Sequence, residues 1–300
     1  MKISVIITTY NRPLQLKQAF QSVCNQTRKP DEIIIIDDAS ELNSNIITEN
    51  FVCEGVTIKI ERLKVSKGAC YARNRGAAIA GGDILMFLDD DDTWELPKIS
   101  DQMRIFNENP DVGLVYSGRL MVSDSYRQNV IYKVSSKVSG KIYPQILYSN
   151  LIGTTSSVAI KKSIFNQVSG FDENLPALQD YELWIRCCKY TIVEYDNSYN
   201  VRYTISDNHT TQISGKPNLY LEAVNKIIIK YSQEIESQGI LASRKIRANL
   251  FLSVAKSVRS HSVIKAMYWI IKSCLEYPNF IRGIGILIPI KFRQYFSFWN

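Results

Sequence analysis

ILMFLDDDDTW, residues 84–94, is an apolar run that ends abruptly in four consecutive carboxylates. Such a run predicts a strand that is buried on both faces of a sheet. Open α/β sheets bind ligands at the carboxyl ends of their strands, which is where these acids stand. Alternate residues of an extended segment point the same way, so Asp89 and Asp91 can face one ligand. A solvated acidic turn is the alternative, and the buried strand before the acids argues against it.

The pattern that leads into this stretch alternates between strand and helix. Another apolar strand, 33–36, also ends in carboxylates, Asp37 and Asp38. This rhythm is typical of βαβ units and a mostly parallel sheet, which places both acidic ends at one edge. The predicted strands of the first 90 residues are 3–8, 33–36, 56–62 and 84–88, and the helices are 13–24, 45–52 and 69–80.

The rhythm weakens after about residue 115, and the chain becomes helical and basic after about 215. We expect residues 179–186 to begin a helix, with Asp180 near its N-terminus. The other predicted elements are helices at 95–107 and 142–149, strands at 112–117, 130–138, 155–160 and 193–203, a polar loop at 206–211, and helices at 219–236, 240–260 and 262–275.

Composition limits the class of protein without choosing a function. The 300 residues are 45% apolar and 22% charged, which is ordinary for a globular chain, and the net charge of +7 favours an anionic partner. The six cysteines form no CxxC pair, and no signal segment or apolar run of about 20 residues is present. We therefore expect reduced thiols and a cytoplasmic location.

Several familiar sites are missing from the sequence. There is no GxGxxG after the first strand, no GxxxxGK[ST], no GxSxG and no zinc-type spacing of Cys and His. These absences argue against a nicotinamide site, a P-loop enzyme, an α/β-hydrolase and a zinc module. The basic residues also lack an RNA-type aromatic module, so we expect no nucleic-acid partner.

The acids have a chemistry that fits a nucleoside diphosphate. Carboxylates would repel a diphosphate unless Mg²⁺ or Mn²⁺ bridges them, and Asp89 and Asp91 offer that ion hard oxygen ligands. Arg73 and Lys67 lie where they could contact phosphate or base. Asp38 could accept a hydrogen bond from a base or ribose, or it could cap a helix, and the residues alone leave these open. Asp180 likewise could be a helix cap or a catalytic group.

Four ordered segments, residues 5–12, 35–40, 72–76 and 87–92, together resemble the family 2 glycosyltransferases. The resemblance covers about residues 1–215 and is strongest over 1–120. It implies a GT-A fold, with a Rossmann-like, mostly parallel sheet followed here by a helical extension. It also implies an inverting transferase that uses a divalent metal and a nucleotide-activated sugar, with a UDP-sugar favoured.

The resemblance carries specific roles over to matching positions. Asp91, in the DxD pattern with Asp89, would hold the metal and diphosphate, and Asp180 would be the general base, with Gln179 in place of the family's usual Glu. The helix after Asp180 lacks the QxxRW box of processive members, so we expect a non-processive enzyme. His209 is expected to be a loop residue. The residues implied for nucleotide binding are Thr8, Tyr10, Asp38, Arg73 and Asp89.

These expectations divide the chain into a nucleotide-sugar-binding half (1–115), an acceptor and catalytic half (116–215) and a basic helical extension (216–300). The acceptor would be a glycan or lipid-linked glycan hydroxyl in bacterial surface polysaccharide synthesis. Basic and aromatic residues within 279–300 indicate peripheral contact with the inner membrane surface, and packing on the core of the protein or on a second subunit is the alternative. Two other functions are a sugar-phosphate nucleotidylyltransferase, disfavoured because residues 8–13 lack glycine, and a non-catalytic nucleotide-sugar-binding module.

Overall fold

The structure is a computed structural model that describes residues 1–41, 51–124, 128–205, 216–259, 261–278 and 280–287. Most of the helix predicted at 45–52 and the loop predicted at 206–211, with His209, lie outside these residues. Within them the chain forms a mixed α/β domain that is followed by a helical extension. The predicted fold class is confirmed.

A seven-stranded sheet organises the domain, in the order β10-β6-β9-β4-β1-β2-β3. Its neighbours pair in parallel except for β9, which runs antiparallel to both β4 and β6. The strands are β1 (Ile3–Thr9), β2 (Glu32–Asp37), β3 (Thr57–Arg62), β4 (Ile84–Asp89), β6 (Val112–Tyr116), β9 (Val158–Lys161) and β10 (Ile192–Tyr195).

Both faces of this sheet are covered, which explains why its strands are continuously apolar. On β1, Ile6 belongs to one core cluster while Val5 and Ile7 belong to the cluster on the other face. The helices of this domain that cover the faces are α1 (Pro13–Cys24), α2 (Ala69–Ile79), α3 (Lys98–Glu108), α4 (Lys162–Gln167) and α5 (Gln179–Cys188).

Strand register brings the two acidic strand ends to one edge. Thr8 of β1 pairs with Asp89 of β4, and Thr9 pairs with Asp37 of β2. The predicted meeting of the acids at the carboxyl ends of parallel strands is therefore confirmed.

A second, four-stranded sheet, in the order β5-β11-β7-β8, flanks the first. It explains two boundaries that were predicted wrongly. The helix predicted from residue 95 begins at Lys98 because the residues before it form β5, and the single strand predicted at 193–203 is divided between β10 and β11. The segment predicted as a strand from 155 begins with a 3-10 turn, Thr155–Ser157. The strands are β5 (Thr93–Trp94), β7 (Arg119–Ser123), β8 (Val130–Val134) and β11 (Val201–Ile205).

The extension consists of helices, as its periodicity predicts. One predicted helix, 219–236, is interrupted at Tyr231 and forms two helices instead. No helix within the described ranges is long and apolar enough to cross a membrane. The helices are α6 (Pro217–Lys230), α7 (Ser232–Glu236), α8 (Ile240–Val258), α9 (Val263–Glu276) and α10 (Phe280–Leu287).

Candidate active site

A cleft of about 530 Å³ opens at the carboxyl edge of the large sheet. The cleft is not lined by Lys67, which the sequence suggested as a phosphate or base contact and whose ammonium lies 4.3 Å from the centre of the Tyr71 ring. The other residues to which the sequence assigned a binding or catalytic role all line it: Thr8, Tyr10, Asp38, Arg73, Asp89, Asp91 and Asp180. These residues come from β1, β4, α2, α5 and the loop after β2. The fold thus assembles one site from positions that are as much as 172 residues apart in the chain.

The four consecutive aspartates divide into two pairs. Asp89 and Asp91 line the cleft with side chains that are 26% and 21% exposed. Asp92 is buried and accepts hydrogen bonds from Ser156 Oγ at 2.6 Å and from the Thr204 amide at 3.0 Å. The predicted alternation does not extend through this segment, because β4 ends at Asp89 and the chain turns there, so that Asp90 also reaches the cleft while Asp92 is turned into the protein.

Asp90 stands at the edge of the cleft but is held by the protein. Its carboxylate accepts a hydrogen bond from Thr9 Oγ1 at 2.8 Å and pairs with Arg12 at 3.1 Å. Burial and the neighbouring charge of Asp91 raise the pKa of Asp90 to about 7. Burial likewise raises the pKa of Asp92 well above its usual value. Both carboxyls are therefore costly to ionise, and neither is placed as well as Asp91 to receive a cation from solvent.

Two arginines neutralise the acids that face the cleft. Arg12 Nη1 lies 3.0 Å from Asp91 as well as near Asp90, so one guanidinium ties two carboxylates to the start of α1. Arg73 is buried, pairs with Asp89 at 2.5 Å, and lies over the ring of Phe171. The sequence assigned no role to Arg12, although Arg12 belongs to the first segment of the family resemblance.

Asp38 organises the loop that leads into α2. Its two carboxylate oxygens accept hydrogen bonds from Ser66 Oγ, from the Lys67 amide and from the Gly68 amide, at 2.7–2.8 Å. Gly68 precedes α2 with a φ of 87°, a conformation that glycine adopts without strain. Asp38 therefore shapes the cleft wall whatever else it contacts there.

Asp180 stands in the first turn of α5, on the wall formed by residues 177–180. The N-cap of α5 is Leu178, in a left-handed conformation. The alternative that Asp180 caps the helix is therefore wrong. Burial and the nearby charge of Asp89 raise the pKa of Asp180, while the Tyr181 amide, Arg119 and Arg73 oppose that change. The net direction is upward, which makes this carboxylate a better proton acceptor than an ordinary aspartate.

The extension and the small sheet also contribute to the cleft, which the sequence did not predict. Lys216 and Tyr220 stand at the start of α6, and Tyr203 lies on β11. Burial raises the pKa of Tyr220, and the charge of Asp180, which lines the same cleft, adds to that shift. No local pattern links these positions to the acids, because only tertiary packing brings them together.

Two polar atoms at the cleft lack a partner. In the described part of the chain, the buried side-chain nitrogen and oxygen atoms without a hydrogen bond are Arg73 Nε and Thr154 Oγ1, and both residues line the cleft. Buried polar atoms are nearly always paired in native proteins, so two unpaired atoms on residues that line one cleft are an exception that calls for a partner.

Comparison with known proteins agrees with this geometry. The model for glycosyl transferase family 2 matches residues 4–169, which is more than half of the chain. An uncharacterized glycosyltransferase of Haemophilus influenzae is 26% identical over 299 residues, covering 96% of each chain. The uncharacterized glycosyltransferase YwdF of Bacillus subtilis is 27% identical over 232 residues, which cover 75% of this chain and 84% of YwdF.

Solved structures show the same fold at low sequence identity. Residues 1–349 of TarS from S. aureus, in complex with UDP-GlcNAc, align with a TM-score of 0.67 at 15% identity, covering 98% of this chain and 92% of that one. The mannosyltransferase PcManGT from Pyrobaculum calidifontis, in complex with GDP-Man and Mn²⁺, aligns with a TM-score of 0.56 at 13% identity, covering 99% and 88%.

The sheet, the helices that cover it and the acidic cleft at its carboxyl edge define a glycosyltransferase of GT-A fold. Within that class, the chain belongs to glycosyl transferase family 2.

Proposed function

We propose that this protein is a metal-dependent, inverting, non-processive glycosyltransferase. It moves one sugar from a nucleoside-diphosphate sugar to the hydroxyl of a glycan or lipid-linked acceptor, in the synthesis of a bacterial surface polysaccharide. The two structural relatives above were solved with UDP-GlcNAc and GDP-Man, which supports a nucleotide-sugar donor. A UDP-sugar is the donor that we favour.

The observation that carries the proposal is the single cleft that gathers all seven assigned residues together with two unpaired polar atoms. Arg73 is the centre of this argument. It is buried, it is already neutralised on one side by Asp89, and its Nε still lacks an acceptor. A phosphate or ribose oxygen of the donor supplies that acceptor without adding an unpaired charge to the interior.

The charge balance of the cleft fits a divalent cation. The lining holds five carboxylates (Asp38, Asp89, Asp90, Asp91, Asp180) and three cationic side chains (Arg12, Arg73, Lys216). An anionic diphosphate would be repelled by this excess of acid unless a cation accompanied it. Within the described ranges no group of three or more Asp, Glu, His or Cys could hold a metal by itself. Mg²⁺ is commonly held by one or two carboxylates with substrate phosphates, so Asp91 with Asp89 fits that ion, or Mn²⁺.

The cleft residues then have defined roles in the proposed reaction. The metal, when bound, neutralises charge that develops on the leaving diphosphate. Arg12 and Arg73 hold Asp91 and Asp89 in place before the donor arrives, which lowers the reorganisation needed on binding. Asp180 takes the proton from the acceptor hydroxyl as its oxygen attacks the anomeric carbon. Direct attack of this kind inverts the configuration and needs one base rather than a nucleophile of the protein.

Calorimetric titration of the protein with UDP, GDP, CDP and dTDP tests the proposal, each with Mn²⁺ and with EDTA. We expect one nucleotide to bind in Mn²⁺ and to lose at least about tenfold in affinity in EDTA. Asp91→Asn should weaken the Mn²⁺-dependent binding by a similar factor, because asparagine keeps the size and an oxygen to accept from Arg12 but removes the negative charge.

The matched control is Asp111→Asn, which changes an exposed acid in the turn before β6 and should leave binding unchanged. Equal affinity in Mn²⁺ and EDTA would contradict the metal site, and failure of all four nucleotides to bind would contradict the donor site itself.

The proposed base predicts a pH dependence with a defined sign. Asp180 must be ionised to accept a proton, and its pKa is raised, so kcat/KM should fall as pH decreases through a pKa above the ordinary aspartate value. A pH–rate profile of wild type checks this. Asp90 also titrates, at about 7, so the profile of Asp90→Asn is the control. If the fall of kcat/KM at low pH disappears in Asp90→Asn, the group that titrates is Asp90 rather than Asp180.

A further inference from the structure

The outward face of α9 is apolar. Its large exposed side chains recur three or four residues apart, which places them along one stripe of the helix. Ile264 is 81% exposed, Ile271 is 58% exposed and Leu275 is 73% exposed. We call this surface the α9 stripe, and its members are Ile264, Met267, Tyr268, Ile271 and Leu275.

The face of α9 that packs on the protein combines small residues with Trp269 and Ile270, which pack against the core. Ala266 and Ser273 are fully buried there, and Ser273 Oγ donates a hydrogen bond to the Ala248 carbonyl of α8 at 2.8 Å. A surface helix normally buries its apolar stripe and presents polar residues to water. In α9 large apolar side chains cover the outward face as well as the packed one, so the α9 stripe is suited to contact another apolar phase.

The stripe continues onto the next helix. In α10, Ile281 is 74% exposed and Ile284 is 62% exposed, while Gly283 packs against Ile270 of α9. The close approach at Gly283 leaves no room for a side chain, because an added Cβ would lie 2.5 Å from Ile270 Cγ2. Helices α9 and α10 therefore present their exposed apolar residues from a packed pair.

Cationic residues accompany this apolar surface. Lys265 is exposed and Lys272 is half-buried, seven residues away on the same flank of α9, with its ammonium 4.8 Å from the centre of the Trp269 ring. Arg282 lies exposed between Ile281 and Ile284. Residues 216–300 contain 13 Lys and Arg against four Glu, whereas residues 1–215 contain 23 Lys and Arg against 25 Asp and Glu. The net positive charge of the protein therefore comes from its extension.

We propose that the α9 stripe docks in the interface of an anionic phospholipid bilayer, with α9 lying in the plane of the membrane. An apolar helical face flanked by lysine and arginine is the surface that binds at the boundary between headgroups and acyl chains. Anionic headgroups complement Lys265, Lys272 and Arg282. A twofold contact with a second copy would instead bring together two faces that carry the same positive charge, which opposes association.

The docking surface is connected to the cleft through α8 and a 3-10 turn. Asn249 of α8 donates to the Tyr148 carbonyl at 2.9 Å, and Tyr181, the residue after Asp180, donates its hydroxyl proton to the Leu147 carbonyl at 2.8 Å. The 3-10 turn Gln145–Tyr148 therefore lies between α5 and the extension. Docking of α9 fixes the distance between the cleft and the bilayer.

Co-sedimentation of the full chain with vesicles tests the inference, and it needs no donor or acceptor. We expect binding to phosphatidylcholine vesicles with 30 mol% phosphatidylglycerol, at least about tenfold stronger than to pure phosphatidylcholine, since each surface cation adds attraction only to anionic lipid. Ile264→Glu/Ile271→Glu should weaken the binding by at least about tenfold, because two apolar anchors become charged.

The matched control is Leu96→Glu/Tyr190→Glu, which adds the same charge at apolar residues of the transferase domain that are 53% and 55% exposed. This variant should bind vesicles like wild type. Equal binding by Ile264→Glu/Ile271→Glu and wild type would overturn the proposal, as would a wild-type protein that ignores anionic vesicles. A dimer in analytical ultracentrifugation that dissociates only in the stripe variant would show that a second copy covers this face instead. Circular dichroism confirms that each variant is folded.

Discussion

Asp180→Asn is expected to lower kcat about 1,000-fold while the affinity for the donor nucleotide changes less than about twofold. General bases contribute on the order of 100- to 10,000-fold to a rate, and asparagine cannot accept the proton of the acceptor. The side chain keeps its size, and its oxygen can still accept the hydrogen bond from the Tyr181 amide, so the wall of the cleft should persist. Turnover with the donor identified by calorimetry, and titration of the same variant with nucleotide, measure the two quantities separately.

The control for this variant is again Asp111→Asn, which should turn over at the wild-type rate. A wild-type rate in Asp180→Asn would show that another group accepts the proton. A loss of nucleotide affinity as large as the loss of kcat would show that Asp180 supports the donor site rather than the chemical step. If neither wild type nor variant releases nucleotide from any donor, the protein is a binding module rather than a catalyst.

Glu182→Gln is expected to lower the free energy of unfolding by about 3 kcal/mol, because removing one partner of a buried ion pair leaves the other uncompensated. Glu182 is fully buried on α5 and contacts Arg186 Nη2 at 2.7 Å, Lys230 Nζ at 2.8 Å and the Tyr231 hydroxyl at 2.7 Å. These contacts lower its pKa although burial opposes them. Urea denaturation at neutral pH measures the change.

The sign of its pH dependence follows from the lowered pKa. Glu182 stabilises the fold above the pKa of an unfolded glutamate, and that contribution is lost as pH falls through the folded value. The difference between wild type and Glu182→Gln should therefore shrink in acid. Glu222→Gln is the matched control, since Glu222 also forms an ion pair four residues along its helix but is 52% exposed, and its loss should cost less than about 0.5 kcal/mol. Equal effects of the two variants would contradict the structural role.

The ion-pair network around Glu182 also concerns function, because it joins α5, the helix of the proposed base, to the extension. Lys230 pairs with Asp172 before α5 as well as with Glu182 within it, and α6 carries Lys230 at one end and the cleft residue Tyr220 near the other. The extension is thereby held against the wall that contains Asp180. The boundary that we placed near residue 215 marks a change in amino-acid composition. The cleft, however, is lined by residues from both sides of that boundary.

The sequence by itself determined the strands and the edge at which the acids meet. A continuously apolar strand must be covered on both faces, and parallel strands must end together, so residues 84–92 and 33–38 already place their carboxylates at one site. This placement is a local consequence of backbone geometry, and the register of Thr8 with Asp89 agrees with it. The two-residue period of a strand does not extend to Asp91, because β4 ends at Asp89 and the chain turns directly after it.

Tertiary structure alone decided which distant residues join those acids. The pairing of Arg12 with Asp91, the arrival of Asp180 on a helix about 90 residues later and the entry of Tyr220 from the extension depend on packing between elements, for which no spacing rule exists. The same reason explains the delayed start of α3, since β5 forms only because β11 lies beside it. The outward direction of the α9 stripe was equally hidden, because an apolar period shows that a helix has two faces but does not show which face the protein covers.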